Sequence, residues 1–286
     1  MSQANKYFAG LDIGGSTVKA ALVDANGAST GALVEVKSRV KEGYKTTFEQ
    51  LQEALRQLAE KANIEVSAIL GAGMDVPAPN CEGVVWTRAN LGDDWVGTNV
   101  RDGLSELLGI PVYMTNDGNA AALGEYAVRP DYSGGLLLVA PGTGLGGGLV
   151  LPGGKIYAGA NGLALEVGHI SVPHREENGE LPECSCGLKG CAEAWVSLMA
   201  LRRRVSIEVA KDEWKDHPLA SDEISVIEKA FQLRDYAEKD DPLAVQIFQQ
   251  QGQILGYALA DLVRVFDPGK VVIGGGLADT SENFRN

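Results

Sequence analysis

Short apolar runs separated by a glycine-rich turn open the chain. The first run covers residues 7–13 and the second covers residues 18–23. Two such runs around a glycine turn predict a β-hairpin. A further run at residues 32–40 predicts a third strand next to it.

Helical periodicity begins at residue 47. Leu51, Leu55 and Leu58 recur at spacings of four and three residues, which places them on one face of an α-helix. Thr47 and Gln50 have the spacing of a capping box, so a helix is predicted over residues 47–62.

The remainder of the chain alternates between strand and helix patterns, which predicts an α/β fold. No element is predicted in the charged stretch at residues 205–240. The predicted strands lie at 66–73, 112–115, 136–140, 146–151 and 270–273, and the predicted helices at 100–108, from 117 onward, at 192–204 and at 243–265.

Residues 139–151 repeat the pattern of residues 11–23. The two segments align without a gap, Gly14 falls on Gly142, and each runs from a strand through a turn of glycine and hydroxyl residues into a second strand. Sequence identity between them is low, so the shared order of elements is the main evidence for a repeat. We therefore predict two related α/β domains, 1–117 and 118–286.

Composition and charge narrow the classes of protein. The chain has 286 residues, 45% of them hydrophobic, and a formal net charge of −13. This negative field disfavours nucleic-acid binding, because a DNA or RNA backbone would be repelled. The sequence shows no apolar run long enough for a membrane span and no basic region followed by an apolar core at its start, so no membrane association and a cytoplasmic location are expected.

Glycine turns are the first candidate for ligand binding. In an acidic chain a phosphorylated ligand must be held by backbone N–H groups and a metal rather than by a lysine patch. Asp12 at a predicted strand end can hold a divalent cation through water, whereas the alternative is an ordinary hairpin with a solvated aspartate. The residues of this first turn are Gly14, Gly15, Ser16 and Thr17.

A denser glycine turn follows the predicted strand at 136–140. It fits neither a Walker A loop, because no Lys-Ser/Thr pair ends it, nor a dinucleotide fingerprint, because a strand follows it. Two such turns at equivalent places in related halves favour a nucleotide that is bound by both halves. The residues of the second turn are Gly142, Thr143, Gly144, Gly146, Gly147 and Gly148.

A cysteine cluster with one histidine predicts a structural zinc site. Cys184, Cys186 and Cys191 lie within eight residues, and His169 precedes them. One imidazole with three thiolates is a common ligand set for four-coordinate zinc. Three reduced thiols near an unrelated histidine are the alternative, and the two other histidines, at 174 and 217, are expected at the surface.

Carboxylates near predicted strand and helix ends are candidates for catalysis. Asn116 and Asp117 stand where a strand gives way to a helix, the usual edge for ligand chemistry in α/β sheets. On local evidence alone, Asp117 as a helix N-cap is the favoured interpretation. Glu166 and His169, three residues apart, have the spacing to share a helical face, or they are simply solvated.

Together these motifs resemble the ROK family of sugar kinases, repressors and open reading frames. The resemblance runs in the family's order over nearly the whole chain, and its most specific part is the glutamate–histidine segment with the cysteine cluster. It is carried by residues 12–17, 116–120, 142–148, 166–169, 184–193, 267–268 and 272–276.

The resemblance implies an actin-like ATPase (ribonuclease H-like) fold with nucleotide and sugar in a cleft between two α/β domains. It implies that Asp117 is the general base and that both glycine turns, with Gly275, hold the phosphates of ATP, with Mg²⁺ beside Asp12. Zinc is implied at His169, Cys184, Cys186 and Cys191, and a homodimer or homotetramer is implied. The residues implied to bind the sugar are Asn90, Asn116, Asp117, Glu166, His169 and Glu193.

Three departures from the family pattern stand out. Ala78 and Leu165 occupy positions where glycine is usual. The family continues by some tens of residues beyond the last glycine turn, whereas this sequence ends at residue 286. The implied further segment would close the adenosine pocket.

These expectations combine into one functional hypothesis. The chain is expected to use ATP to phosphorylate the 6-hydroxyl of a hexose, and glucose is the favoured hexose. N-Acetylmannosamine, N-acetylglucosamine and fructose are alternative acceptors, and polyphosphate is an alternative donor. A catalytically silent sugar-binding or regulatory protein is the rival of another class. A repressor is disfavoured, because only eleven residues precede Asp12 and the net charge is negative.

Overall fold

The computed structural model describes residues 6–88, 91–129 and 131–278. These residues belong to two compact units, and the units are interleaved along the chain. The first draws on Met1–Ala120 and Ala158–Ala164, and the second on Ala121–Tyr157 and Leu165–Asn286. Within the described part of the chain, no helix combines the length and apolar character needed to cross a bilayer.

Eleven strands are formed by the described residues. They are β1 (Tyr7–Ile13), β2 (Thr17–Asp24), β3 (Ser29–Lys37), β4 (Ile69–Val76), β5 (Asn80–Cys81), β6 (Val84–Val85), β7 (Val112–Asn116), β8 (Leu136–Pro141), β9 (Leu145–Leu151), β10 (Lys155–Ile156) and β11 (Lys270–Ile273).

Seven α-helices are formed by the same residues, and short 3₁₀ turns connect several elements. The helices are α1 (Tyr44–Ala62), α2 (Val100–Leu108), α3 (Asp117–Ala127), α4 (Glu193–Val196), α5 (Leu198–Val209), α6 (Val226–Ala237) and α7 (Pro242–Phe266).

The first unit is built on a five-stranded sheet in the order β3-β2-β1-β4-β7. Strand β1 runs antiparallel to β2 and parallel to β4, which in turn runs parallel to β7. Helix α1 packs on β2 and β3 through the predicted leucine face, where Leu51 and Leu58 are fully buried. The carboxyl ends of β1, β4 and β7 therefore lie side by side at one edge of the sheet.

The second unit is built on a four-stranded sheet in the order β10-β9-β8-β11. The β8–β9 hairpin is antiparallel, and β11 adds to β8 in parallel. Helix α7 packs on α4, α5 and α6. Each unit thus holds a hairpin followed along the chain by helices, and the predicted α/β class is confirmed.

One predicted helix has a different start and another is divided in two, for local reasons. Helix α1 begins at Tyr44 rather than at a capping box, and the buried Thr47 hydroxyl donates to the Gly43 carbonyl one turn back, at 3.3 Å. The helix predicted at 192–204 is broken at Ser197, whose hydroxyl accepts from the Ala200 N–H and caps α5. The charged stretch left unassigned contains α6, in which the large apolar residues Ile227 and Phe231 are exposed and Lys229 lies on the buried face, so the sequence shows no clear helical period.

Candidate functional site

Three acidic side chains lie at the carboxyl edge of the first sheet. Asp12 near the end of β1 is paired in register with Asp75 of β4. The next residue of β4, Val76, is paired with Asn116 of β7, and Asp117 follows directly. Parallel pairing thus gathers residues from distant parts of the sequence at the edge where α/β sheets bind ligands.

Asp117 is the first residue of α3 but is not its cap. The Asn116 side-chain oxygen accepts from the Asn119 N–H at 2.8 Å, which is the hydrogen bond of an N-cap. The Asp117 carboxylate accepts from the Gly118 N–H at 2.8 Å. Burial raises the pKa of Asp117 above its ordinary value, and the Gly118 N–H opposes that shift. A carboxylate made more basic by burial is suited to accept a proton.

Asp75 was missed by the sequence analysis. Burial, followed by the neighbouring charges of Asp12 and Asp117, raises the pKa of Asp75 to about 7. Its Oδ1 atom is buried and has no hydrogen-bond partner among the described residues. The available signal was a lone carboxylate near the end of an otherwise apolar strand.

The first glycine turn presents its backbone to solvent. The Gly14 N–H donates to the Thr17 carbonyl at 2.8 Å and closes the hairpin. Gly15 and Ser16 at its tip are exposed, as is Asp12. The turn therefore offers accessible main chain beside a carboxylate, as a site for an anion with a bridging cation requires.

The second glycine turn is crowded by neighbouring groups. A Cβ on Gly144 would overlap the Glu193 carboxylate, and one on Gly147 would lie 2.7 Å from a Val167 methyl group. Gly275 has a φ of 79°, and a Cβ there would lie 2.5 Å from the Pro141 carbonyl. These glycines are needed because other groups approach their backbone closely.

The cysteines and His169 come together as the zinc prediction requires. The four potential ligand atoms lie within 4.8 Å of one another. Tetrahedral zinc, with bonds of about 2.3 Å to sulfur and about 2.1 Å to nitrogen, places two sulfurs roughly 3.8 Å apart and a sulfur–nitrogen pair roughly 3.6 Å apart. Cys186 Sγ lies 3.7 Å from Cys191 Sγ, and Cys184 Sγ lies 3.5 Å from His169 Nδ1. The residues therefore fit the metal.

Glu166 directly precedes a single 3₁₀ turn, Val167–His169, and His169 ends it. The His169 N–H donates to the Glu166 carbonyl at 3.0 Å and closes the turn. The His169 Nδ1 atom faces the thiols, so Nε2 remains for another partner. Leu165, just before the turn, is buried and has a φ of 64°, a conformation that favours glycine.

The chain matches one family model along nearly its entire length. The model describes the ROK family, and it covers residues 8–285. The chain belongs to the ROK family.

Relatives and solved structures extend this result. A glucokinase from Halalkalibacterium halodurans is 30% identical, with 98% of this chain and 83% of the relative covered. An N-acetylgalactosamine kinase from Shewanella is 32% identical, covering 96% and 82%. The crystal structure of a ROK family glucokinase from Streptomyces griseus, in complex with glucose and AMPPNP, has a TM-score of 0.75 at 28% identity, covering 97% and 86%. The actin-like ATPase fold expected of a ROK protein is thereby confirmed.

The remaining ROK positions have mixed outcomes. Asn90 lies outside the described residues. Ala78 does not have the left-handed φ that would demand the family's glycine, whereas Leu165 does. The assignment of individual ROK sugar-binding and phosphate-binding residues to this chain stays a prediction.

The two other histidines were wrongly expected at the surface. His174 packs edge-on against Trp195 with ring centroids 4.6 Å apart. The His217 side chain is 8% exposed, and its Nε2 atom lies 3.1 Å from Asp241. Neighbouring aromatic rings bury the His217 side chain and cover part of His174, which no local sequence pattern indicated.

Proposed function

We propose that this ROK protein is an ATP-dependent hexose kinase that transfers the γ-phosphate to the 6-hydroxyl of glucose, with Asp117 as the general base. The observation that carries the proposal is the state of the Asp117 carboxylate. The side chain is accessible, the surrounding protein desolvates the carboxyl enough to raise its pKa, and Asn116 relieves it of capping the helix.

The chemistry follows from what phosphoryl transfer needs. Alignment, charge neutralisation and a base within reach of the acceptor hydroxyl supply most of the catalysis. Asp117 accepts the hydroxyl proton as the sugar oxygen attacks the γ-phosphorus, the bond from that phosphorus to the β-phosphate oxygen breaks, and ADP leaves. The two glycine turns hold phosphate oxygens through their backbone, and bound Mg²⁺, held through Asp12, would neutralise their charge.

Zinc would act on the sugar through His169. Held by the three cysteines and by Nδ1 of His169, it would fix the ring so that the Nε2–H donates to a sugar hydroxyl. Glu166, Glu193 and Asn116, with Asn90, are proposed to complete the recognition of a neutral sugar by hydrogen bonds.

The name of the acceptor is tested by a panel of sugars. ADP release is measured with glucose, mannose, allose, fructose, N-acetylglucosamine, N-acetylmannosamine and N-acetylgalactosamine, with ATP or polyphosphate as donor. We expect the highest kcat/KM with glucose and ATP. Turnover highest with an N-acetylated sugar would assign the chain to that substrate, and binding of sugars without any turnover would support the silent sugar-binding protein.

The metal prediction is tested by counting zinc. We expect one zinc ion per chain. We expect Cys191→Ser to lose it, because the three ligands that remain after removal of one thiolate bind zinc only weakly. Burial raises the pKa of the Cys191 thiol to about 12, so metal binding must displace its proton. Cys81→Ser, outside the cluster, is the matched control. A Cys191→Ser protein that keeps its full zinc content would contradict the ligand set.

A homodimeric or homotetrameric assembly and a cytoplasmic location stay predictions. Both accompany the proposed enzyme, and neither is needed for the assignment of Asp117.

A further inference from the structure

We propose that Glu193, held in place by Ser185, positions the second glycine turn and so couples the metal-binding loop to nucleotide binding. This inference rests on the proposed function, in which that turn holds phosphates. It adds to the sugar contact proposed for Glu193 a second role, directed at the nucleotide.

The Glu193 carboxylate is bonded to the turn by one oxygen. Its Oε2 atom accepts from the Leu145 N–H at 3.0 Å. Leu145 is buried and begins β9, directly after Gly144, and the absence of a side chain at Gly144 leaves room for the same oxygen. The carboxylate thus fixes the strand end at which the turn closes.

The other oxygen is bonded to the metal-binding loop. The Ser185 hydroxyl donates to Glu193 Oε1 at 2.8 Å. Ser185 stands between Cys184 and Cys186, two of the potential zinc ligands, so ligation on both sides would fix its position. One carboxylate therefore connects the cysteine loop with the glycine turn through two hydrogen bonds.

A second contact anchors the turn to the same short segment of chain. The Gly142 carbonyl accepts at 2.8 Å from the N–H of Leu198, the first residue of α5. Glu193 begins α4. Residues 193–198 therefore hold both ends of the turn, since Glu193 binds the Leu145 N–H and Leu198 binds the Gly142 carbonyl. A displacement of α4 would move both ends of the turn.

The charge of the Glu193 carboxylate indicates that its role is to position the second glycine turn. A negative charge beside a phosphate-binding turn weakens the binding of an anionic nucleotide. Two donors that use the carboxylate oxygens reduce this effect, and hydrogen bonds to a charged acceptor are the stronger kind. We infer that the contribution of this carboxylate is to order the backbone that contacts the phosphates.

The test is Ser185→Ala, with Ser185→Thr as the conservative variant that keeps the hydroxyl. Loss of one hydrogen bond to a charged group should weaken AMPPNP binding, measured by calorimetry, by about two- to tenfold. Ser206→Ala, which removes an exposed hydroxyl bonded to the Arg202 carbonyl, is the matched control. Ser185→Thr should restore the affinity.

A second readout does not depend on kinase function. In the ligand-free, zinc-loaded protein, Ser185→Ala should speed hydrogen–deuterium exchange of the Leu145 amide, and removal of zinc should do the same to the wild type. Faster exchange together with weaker nucleotide binding would support the inference. Unchanged exchange at Leu145 would overturn it even in an active kinase, whereas faster exchange in a protein that lacks kinase activity would instead count against the proposed function.

Discussion

Replacing Asp117 by asparagine is expected to lower kcat by roughly 10²- to 10⁴-fold, the range that a positioned general base contributes. The amide keeps the size of the side chain and a hydrogen-bonding oxygen but cannot accept the hydroxyl proton. Asn116 remains to cap α3, so the helix should form normally. Turnover is followed as ADP release at saturating glucose and ATP.

Binding separates this outcome from simple misfolding. The affinity for glucose, measured by calorimetry, should stay within about threefold of the wild-type value, because the change removes a proton acceptor rather than the pocket. Asp222→Asn, at an exposed position, is the control for a lost charge. Near-normal turnover of Asp117→Asn would refute the assignment of the base.

Asp75→Asn is expected to stabilise the protein against unfolding above neutral pH. The pKa of Asp75 is about 7 in the folded chain, against 3.8 for an ordinary aspartate. The folded state therefore holds a proton that the unfolded state has released, and stability falls as pH rises from about 4 to about 7. A difference of about three pKa units corresponds to about 4 kcal/mol as an upper limit.

The measurement is the free energy of unfolding in urea at pH 4.5 and at pH 8, without added magnesium or nucleotide. The two proteins should differ little at pH 4.5, and Asp75→Asn should be the more stable at pH 8. Asp222→Asn should show no such pH-dependent gain. Equal free energies of unfolding for wild type and Asp75→Asn at pH 8 would contradict the prediction, because the ionised Asp75 carboxyl would then not destabilise the folded state.

Local patterns predicted much of the fold, and nonlocal pairing explains what they missed. The first hairpin and the strand at residues 270–273 depend on short apolar runs and glycine turns, so the sequence alone located them. Asp75 gains its importance from standing opposite Asp12 in a parallel pair, across more than sixty residues of sequence. His217 was misplaced because rings from other elements bury it.

The candidate site divides in the same way. The cysteine spacing predicted a cluster, and the structure brings its potential ligand atoms together with His169. Residue types alone did not reveal that Asn116 rather than Asp117 caps α3, because either side chain can accept from a backbone N–H two or three residues on. Nor did they reveal the Ser185–Glu193–Leu145 connection, which depends on a loop meeting a hairpin in space.

The interleaving of the two units bears on how the protein can be dissected. Residues 158–164 lie within the second half of the sequence but pack with the first unit, where Gly162 fits against the Asn80 carbonyl and the Cys81 thiol lies 3.7 Å from the Ala160 carbonyl. A fragment that stops at residue 120 would lack residues 158–164, the strip that packs on the first unit. The complementary fragment would carry the same residues without the unit on which they pack. Any split-protein reporter built on this chain should therefore keep the strip with the amino-terminal piece, for instance by circular permutation, rather than cut the gene once in the middle.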